Sequence, residues 1–358
     1  MAQSHVSKRF VLWIGLIFLS IGILFLWIKW RQWASPFVVV WKTRCNEKGL
    51  DVLSLAFSPK GDLLASSCWL GTTKLWSVRD GKLVRILGSS SSSIVFSPDG
   101  QILATGGRVI KLWSISNGRL LKTLQDKKVK DNFPIAFSPD GKFLAASSGD
   151  IKIWAVNRGH LVRILSVGSP SYSVSFSPNG RFLASGHSDG AVRIWAFPNG
   201  NLLKVLKAHN AEVNCVAFSP DGRILASGGD DGTIKLWWVL EGKMKTILTS
   251  GARVNLETLL TSGIIGYFLR LLDPSPLDVE SVAFSPDGKL LASEGQDGVL
   301  ELWRISDGKR IGKIAFGWKY WLARIVSSYT VVFSPNGQFI AIGDQYGFIH
   351  LLRLKVKK

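Results

Sequence analysis

Taken as a string of apolar and polar positions, the chain repeats one short pattern. An alternating apolar run ends in Phe, a polar turn of the form Ser-Pro-x-Gly follows, and a second apolar run begins. The turn occurs seven times, after Phe57, Phe96, Phe137, Phe176, Phe218, Phe284 and Phe333. Pro presets the first central torsion of a β-turn, Asp or Asn tolerates the next position and Gly closes it, so the pattern predicts strand, turn, strand. The steps between these Phe positions are 39, 41, 39, 42, 66 and 49 residues. Such a period marks stacked supersecondary units, each with an apolar face that it cannot bury alone.

The fifth unit carries the pattern most completely. Ala208 to Leu248 predicts four strands, at Val213–Phe218, Ile224–Ser227, Thr233–Trp237 and Lys243–Leu248. Asp230-Asp231-Gly232 and Glu241-Gly242 supply the second and third turns. This order of strands and turns, with the third strand ending in Leu-Trp, resembles the WD40 repeat. The resemblance covers about residues 37–358, and the near-identical Ser-Pro-Asp-Gly turns look like those of bacterial members. It implies an all-β fold, a seven-bladed WD40 β-propeller with one four-stranded sheet per blade. In that family an N-terminal strand completes the last blade. Phe37–Trp41 sits where such a strand belongs, and unit seven ends with Phe348–Leu354, one strand short.

The resemblance also implies a Trp at the end of each third strand. Trp76, Trp113, Trp154, Trp195, Trp237 and Trp303 fill that place, while unit seven has Leu352; none is followed by Asp. The family's structural tetrad of His, Ser or Thr, Asp and Trp is complete in unit five alone, as His209, Ser227, Asp231 and Trp237. Units four and six keep Ser185, Asp189, Trp195 and Ser293, Asp297, Trp303 without the His. Units two and three have shortened second turns, at Gly107–Val109 and Ser148–Asp150.

Ahead of the repeats, Phe10–Ile28 contains no charged residue. As a helix it would span about 28 Å at ~1.5 Å per residue, close to the ~30 Å of a hydrocarbon core. The expected architecture is therefore an N-terminal segment, 1–36, with one transmembrane α-helix at about 10–28, followed by the propeller at 37–358. Trp13, Trp27, Lys29, Trp30 and Arg31 are the candidate interface anchors. A cleaved signal peptide is the competing reading, but this apolar run exceeds the usual ~7–15 residues. Lys29, Arg31, Lys42, Arg44 and Lys48 outnumber Lys8 and Arg9, which points to a single-pass membrane protein with a cytoplasmic propeller.

Two connections break the period, at 249–278 and 315–329. The first carries Tyr267 and Phe268 on an apolar stretch with helical spacing, the second Trp318, Lys319, Tyr320, Trp321 and Arg324. Aromatic residues and Arg dominate protein interfaces, so these seven are the candidate partner-binding residues. The same composition suits a membrane surface, or plain caps on the blade edges. Interblade connections emerge on one face in the family, and the first strand starts from the other.

Composition adjusts this picture in three ways. Net charge is +19, from 44 Lys and Arg against 25 Asp and Glu, which makes binding to anionic lipid or nucleic acid the alternative reading. Lys127, Lys128 and Lys130, and Lys355, Lys357 and Lys358, form two small basic clusters; Ser89–Ser93 is a polar loop. Cys45, Cys68 and Cys215 show no paired spacing, so no disulfide framework or zinc site is expected. Cys68 and Cys215 are expected as buried thiols, which leans toward a reducing compartment. The five histidines lack metal-ligand spacing, and no nucleophile elbow, phosphate loop, dinucleotide fingerprint or RNA-stacking motif occurs. Together these features predict a non-catalytic, membrane-anchored scaffold or adaptor, such as a subunit or assembly factor of a membrane complex. It is expected to need no cofactor, metal or small-molecule substrate and to bind protein rather than nucleic acid.

Overall fold

A computed structural model describes residues 36–47, 49–88, 91–125, 134–166, 168–249, 278–295, 298–315 and 330–355. Among these residues there is no helix, and so none long and apolar enough to cross a membrane. The 10–28 segment, with Trp13, Trp27, Lys29, Trp30 and Arg31, lies outside the described residues.

The strands form seven antiparallel four-stranded sheets. In blade five they are Val213–Phe218, Ile224–Gly229, Thr233–Trp238 and Lys243–Thr249, each within two residues of the sequence expectation. Six sheets are built from consecutive strands. The seventh combines Thr330–Phe333, Phe339–Gly343 and Phe348–Leu354 with Phe37–Arg44 from the far end of the chain. Phe37 lies opposite Leu354 and Arg44 opposite Phe348, so the first strand runs antiparallel to the last.

Alternation along the strands places apolar side chains on both faces of every sheet, and each of the seven core clusters lies between two neighbouring blades. Ile234 and Leu236 pack toward Val282 and Trp303 of blade six, while Trp237 faces Ile194 and Leu206 of blade four. The seam is built likewise: Val52, Leu64 and Trp76 of blade one meet Ala341, Ile349 and Leu351 of blade seven.

The Ser-Pro-x-Gly turn explains its own sequence. In blade five the Ser219 hydroxyl donates to Asp221 Oδ1 (2.6 Å) and accepts from the Ile224 N–H (2.9 Å). Asp221 Oδ1 also accepts from the Arg223 N–H (3.0 Å), and these bonds, led by that from Ser219, hold its carboxyl below the ordinary range. In blade one Lys60 replaces the Asp, and Ser58 turns to Asp62 instead (2.7 Å). The Gly of each turn rests on the Pro of the preceding blade: Gly100 on Pro59, Gly141 on Pro98, and so on round to Gly61 on Pro335. That last contact closes the circle.

Two further sets of contacts join neighbours. Inner-strand hydroxyls accept from the next blade's backbone, as Ser54 does from the Ile94 N–H (3.1 Å) and Ser173 from the Val216 N–H (3.0 Å). Basic side chains of the outer strands donate to carbonyls of the next blade's third turn: Arg85 to Ser116 O (3.2 Å), Lys122 to Val156 O (3.4 Å) and Lys245 to Ile305 O (3.0 Å). At the seam Trp41 takes this role. Its Nε1–H donates to Val78 O (2.9 Å), and its ring lies where any side chain at Gly81 would overlap it.

The cysteines correct the sequence reading. Cys45, just past the first strand, and Cys68, at the end of the second strand of blade one, are joined in a disulfide. Their Cα atoms are 6.4 Å apart, within the usual ~4.4–6.8 Å. No Cys-x-x-Cys spacing announced the pair because its members belong to different blades. Cys215 is a buried free cysteine, as expected, and burial pushes its thiol up.

Replacing Trp41 by Ala should remove the seam's hydrogen bond and its packing over Gly81, costing about 2–3 kcal/mol in urea denaturation, whereas Arg85→Ala should cost about 1 kcal/mol or less. Equal losses would mean that Trp41 has no special place at the seam.

Candidate docking face

Strand direction sorts the loops onto two faces. In blade five Val213 pairs with Gly229 and Thr233 with Thr249, so the start of the inner strand, the second turn and the end of the outer strand share one face. The same register in blade six pairs Val279 with Gly295 and Val299 with Ala315, and in blade seven Thr330 pairs with Gly343. The described residues that flank both long connections therefore sit on this face. Phe37 enters beside Leu354 on the opposite face, with the Ser-Pro-x-Gly turns, and the Lys355 N–H donates to Pro36 O (2.8 Å). Tyr267, Phe268, Trp318, Lys319, Tyr320, Trp321 and Arg324 lie outside the described residues.

The described part of the face has one apolar point that the sequence reading missed. Blade one carries Trp69 and Leu70 in its second turn, where blade four has Ser188-Asp189 and blade five Asp230-Asp231. Both side chains are exposed, Leu70 by 73%. Leu70 has φ +49°, and among the described residues no other residue except Gly has a positive φ. A bulky side chain in this region is strained, and such strain collects at functional turns. The signal in the sequence was the replacement of the Asp before the turn's Gly71 by Leu70.

Beneath the face, blades one, two, four, five and six are each fastened by a Trp bond. In blade five the Trp237 Nε1–H donates to Ser227 Oγ (3.1 Å), the Ser227 hydroxyl donates to His209 Nε2 (2.8 Å), and His209 Nδ1 lies 2.8 Å from Asp231 Oδ1. Asp231 also accepts from the Thr233 hydroxyl (2.6 Å). This proton order requires a neutral imidazole. Burial of His209 lowers its pKa and outweighs the opposing pull of Asp231. Asp231 is itself held below the ordinary range: burial opposes ionisation, but bonds from Thr233 and His209 overcome it.

The other blades vary this theme. Blade four has its own histidine after all: His187 Nε2 lies 2.8 Å from Ser185 Oγ, which accepts from the Trp195 Nε1–H (2.9 Å). His187 Nδ1 faces Ser169 O (3.0 Å), and burial lowers its pKa. Two residues after Ser185, it shares that residue's face of the strand, a period-two signal that was legible. Asp189 is released to grip Arg193 (3.0 and 2.6 Å), whose hydrogen bonds bring its pKa to about 2. In blade one Cys45 Sγ stands where the histidine would, 3.3 Å from Ser66 Oγ, which accepts from Trp76 (2.7 Å). Blades two and six keep the Trp bonds, Trp113 to Thr105 (3.1 Å) and Trp303 to Ser293 (2.9 Å); Asp297 lies outside the described residues. Blade seven replaces both partners with fully buried Ile342 and Leu352. Blade three replaces one: Ala146 occupies the Ser position opposite Lys152, and Trp154 Nε1 is buried without a partner among the described residues.

Titratable groups also approach one another near the inner strands. Burial, with Glu212 and Asp230 nearby, raises the Tyr172 pKa, and burial with Asp344 raises that of Asp51. Among the described residues no group of three or more His, Cys, Asp or Glu side chains can hold a metal ion.

Ala146→Ser should give Trp154 an acceptor and raise stability by about 1 kcal/mol, while Asp231→Ala should lower it by about 1–3 kcal/mol, both read from urea denaturation. Because folding lowers the pKa of His187 and His209, their contribution is complete above the unfolded value of 6.5 and is lost as pH falls through the folded values. Stability should accordingly decline below about pH 6.5, and less steeply in the double variant His187→Asn/His209→Asn.

The WD domain, G-beta repeat family matches residues 81–114, 135–155, 159–196, 200–237 and 267–304. The anaphase-promoting complex subunit 4 WD40 domain matches residues 27–96. Most of the repeat matches open on one blade's outer strand and close on the next blade's third, the stagger that obliges the first strand to complete the last sheet. The chain is 36% identical over 69 residues to the small ribosomal subunit protein RACK1z of Arabidopsis thaliana. It is 40% identical over 67 residues to RACK1z of Oryza sativa subsp. japonica and 37% over 67 to RACK1 of Medicago sativa. These matches cover 19% of this chain and only 18–19% of those relatives. With seven four-stranded sheets in a closed ring and the repeat matched five times along it, the chain belongs to the WD40 repeat family of β-propellers.

Proposed function

We propose that this protein is a non-catalytic interaction scaffold, tethered to a membrane through residues 10–28, which offers the face of its second turns to a protein partner. The observation that carries this reading is the sorting of loops. The flanks of both aromatic connections and the exposed Trp69–Leu70 turn share one face, and the chain enters the ring from the other. A tether on one face leaves the opposite face free to dock. WD40 propellers serve mainly as platforms for protein assembly, and the RACK1 relatives are by name parts of the small ribosomal subunit. A place in a larger assembly at the membrane, as subunit or assembly factor, fits both. Trp318, Tyr320 and Trp321 would be the anchors of the interface, with Tyr267 and Phe268 beside them.

The rival reading, an anionic-lipid or nucleic-acid binder driven by the charge of +19, has less support. Arg85, Lys122 and Lys245 already bond the neighbouring blade, and Arg193 is committed to Asp189. Charge spent between blades is not free for phosphates.

Alanine at both Trp318 and Trp321 should leave thermal unfolding unchanged and abolish recovery of partners with the detergent-extracted protein; undiminished recovery refutes this docking site. Carbonate washing should leave the full chain in the membrane pellet, and its release would remove the tether.

A further inference from the structure

The seam between blades seven and one differs from the other six junctions. The strand that makes it arrives from the far end of the chain, pairs with Phe348–Leu354 through backbone hydrogen bonds, and is anchored by side chains at Phe37, buried between blades six and seven, and at Trp41. Blade seven has no Trp–Ser bond, since Ile342 and Leu352 fill those places. An end strand of this kind frays first, because nothing in sequence continues it into the sheet it completes. At this junction the structure places the chain's one disulfide, Cys45–Cys68, tying the exit of the borrowed strand to the second strand of blade one.

We propose that the ring is completed covalently, and that the propeller folds and works in an oxidising compartment. Three observations support this. Cys45 and Cys68 are both fully buried, so neither sulfur is open to exchange once the ring has closed. Cys215 lies in blade five, also buried, with its thiol pushed up, so it cannot serve as a resolving thiolate for the pair. Cys45 also occupies the place that His209 holds in blade five, against the Ser that receives the Trp bond, so the disulfide is built into a blade core and does not lie on a loose surface loop.

Bond formation removes two thiol protons and two electrons. A small-molecule or protein disulfide accepts them and leaves as two thiols. Because the sulfurs are enclosed, exchange takes place before the first strand docks or while its end is open. Buried structural disulfides of this kind persist where the surroundings are oxidising and are rare where thiols are kept reduced. The inference is independent of the docking face and of the tether. If the tether holds, it puts the propeller on the oxidising side of that membrane, against the count of basic residues around 10–28.

The test is thiol trapping of the full chain in cells that make it. Cells are quenched in acid, free thiols are blocked in denaturant with a maleimide, and the protein is digested without reduction. The expected result is a linked Cys45–Cys68 peptide with maleimide on Cys215 alone. Maleimide on all three cysteines would overturn the proposal. In a second arm, purified protein is unfolded with a reductant and refolded in its presence. Wild type should then melt several degrees lower than the oxidised protein, whereas Cys45→Ser/Cys68→Ser should melt at one temperature under both conditions and Cys215→Ser should behave as wild type. An unchanged wild-type melt after reduction would show that the bond does not hold the seam, and would equally overturn the proposal.

Discussion

No sheet in this molecule has a core of its own. All seven apolar clusters lie between blades, so each sheet is stable only while both neighbours are in place. An open arc would leave two apolar faces in water, and closure is therefore the condition on which the rest of the fold depends. The chain meets it by placing Phe37–Arg44 at the edge of a sheet whose other strands lie some three hundred residues later. Around that junction the Gly61–Pro335 contact is kept, but other devices of the blades are replaced. Trp41 stands for Lys or Arg, a sulfur stands for the histidine, and an apolar pair stands for Trp and Ser.

The blade cores show how a buried polar group constrains its partner. A Trp Nε1–H removed from water needs an acceptor, and Ser or Thr provides one in blades one, two, four, five and six. Where the acceptor is lost, the economical change is to lose the donor too, as blade seven does. Blade three has changed one side only, so Trp154 keeps its apolar packing and forgoes the bond. The histidine is looser in position. It enters from the connection in blade five and from the second strand in blade four, because either route delivers a neutral ring nitrogen to the Ser hydroxyl.

The sequence disclosed the architecture well because its signals were local and repeated. A Ser-Pro-x-Gly turn works through bonds within five residues, so each copy announces itself. The borrowed strand was legible through a count of strands, one too few at the end and one spare at the beginning. The disulfide was not, since Cys45 and Cys68 meet only after the ring is shut. Nor was the inward role of the basic residues, because Lys122 and Lys245 read as solvent-facing until the neighbouring turn is placed beside them. The strained Leu70 escaped because a missing Asp before a retained Gly71 is a weaker signal than a present one.

The outer strands also have a liability. Each ends its sheet with unpaired backbone groups, and they carry most of the large exposed apolar side chains, including Val84, Leu121, Ile164, Val205 and Ile247. Apolar free edges invite a strand from another molecule, and a charge in mid-strand is a common deterrent. Arg85, Lys122, Arg163, Lys204 and Lys245 stand there in blades one to five. Blade seven has Trp41 at that place, preceded by exposed Val38, Val39 and Val40. The residue that seals the inside of the ring therefore moves the guarding charge of this edge one place along, to exposed Lys42, and leaves the run of Val38, Val39 and Val40 open to a strand from another molecule.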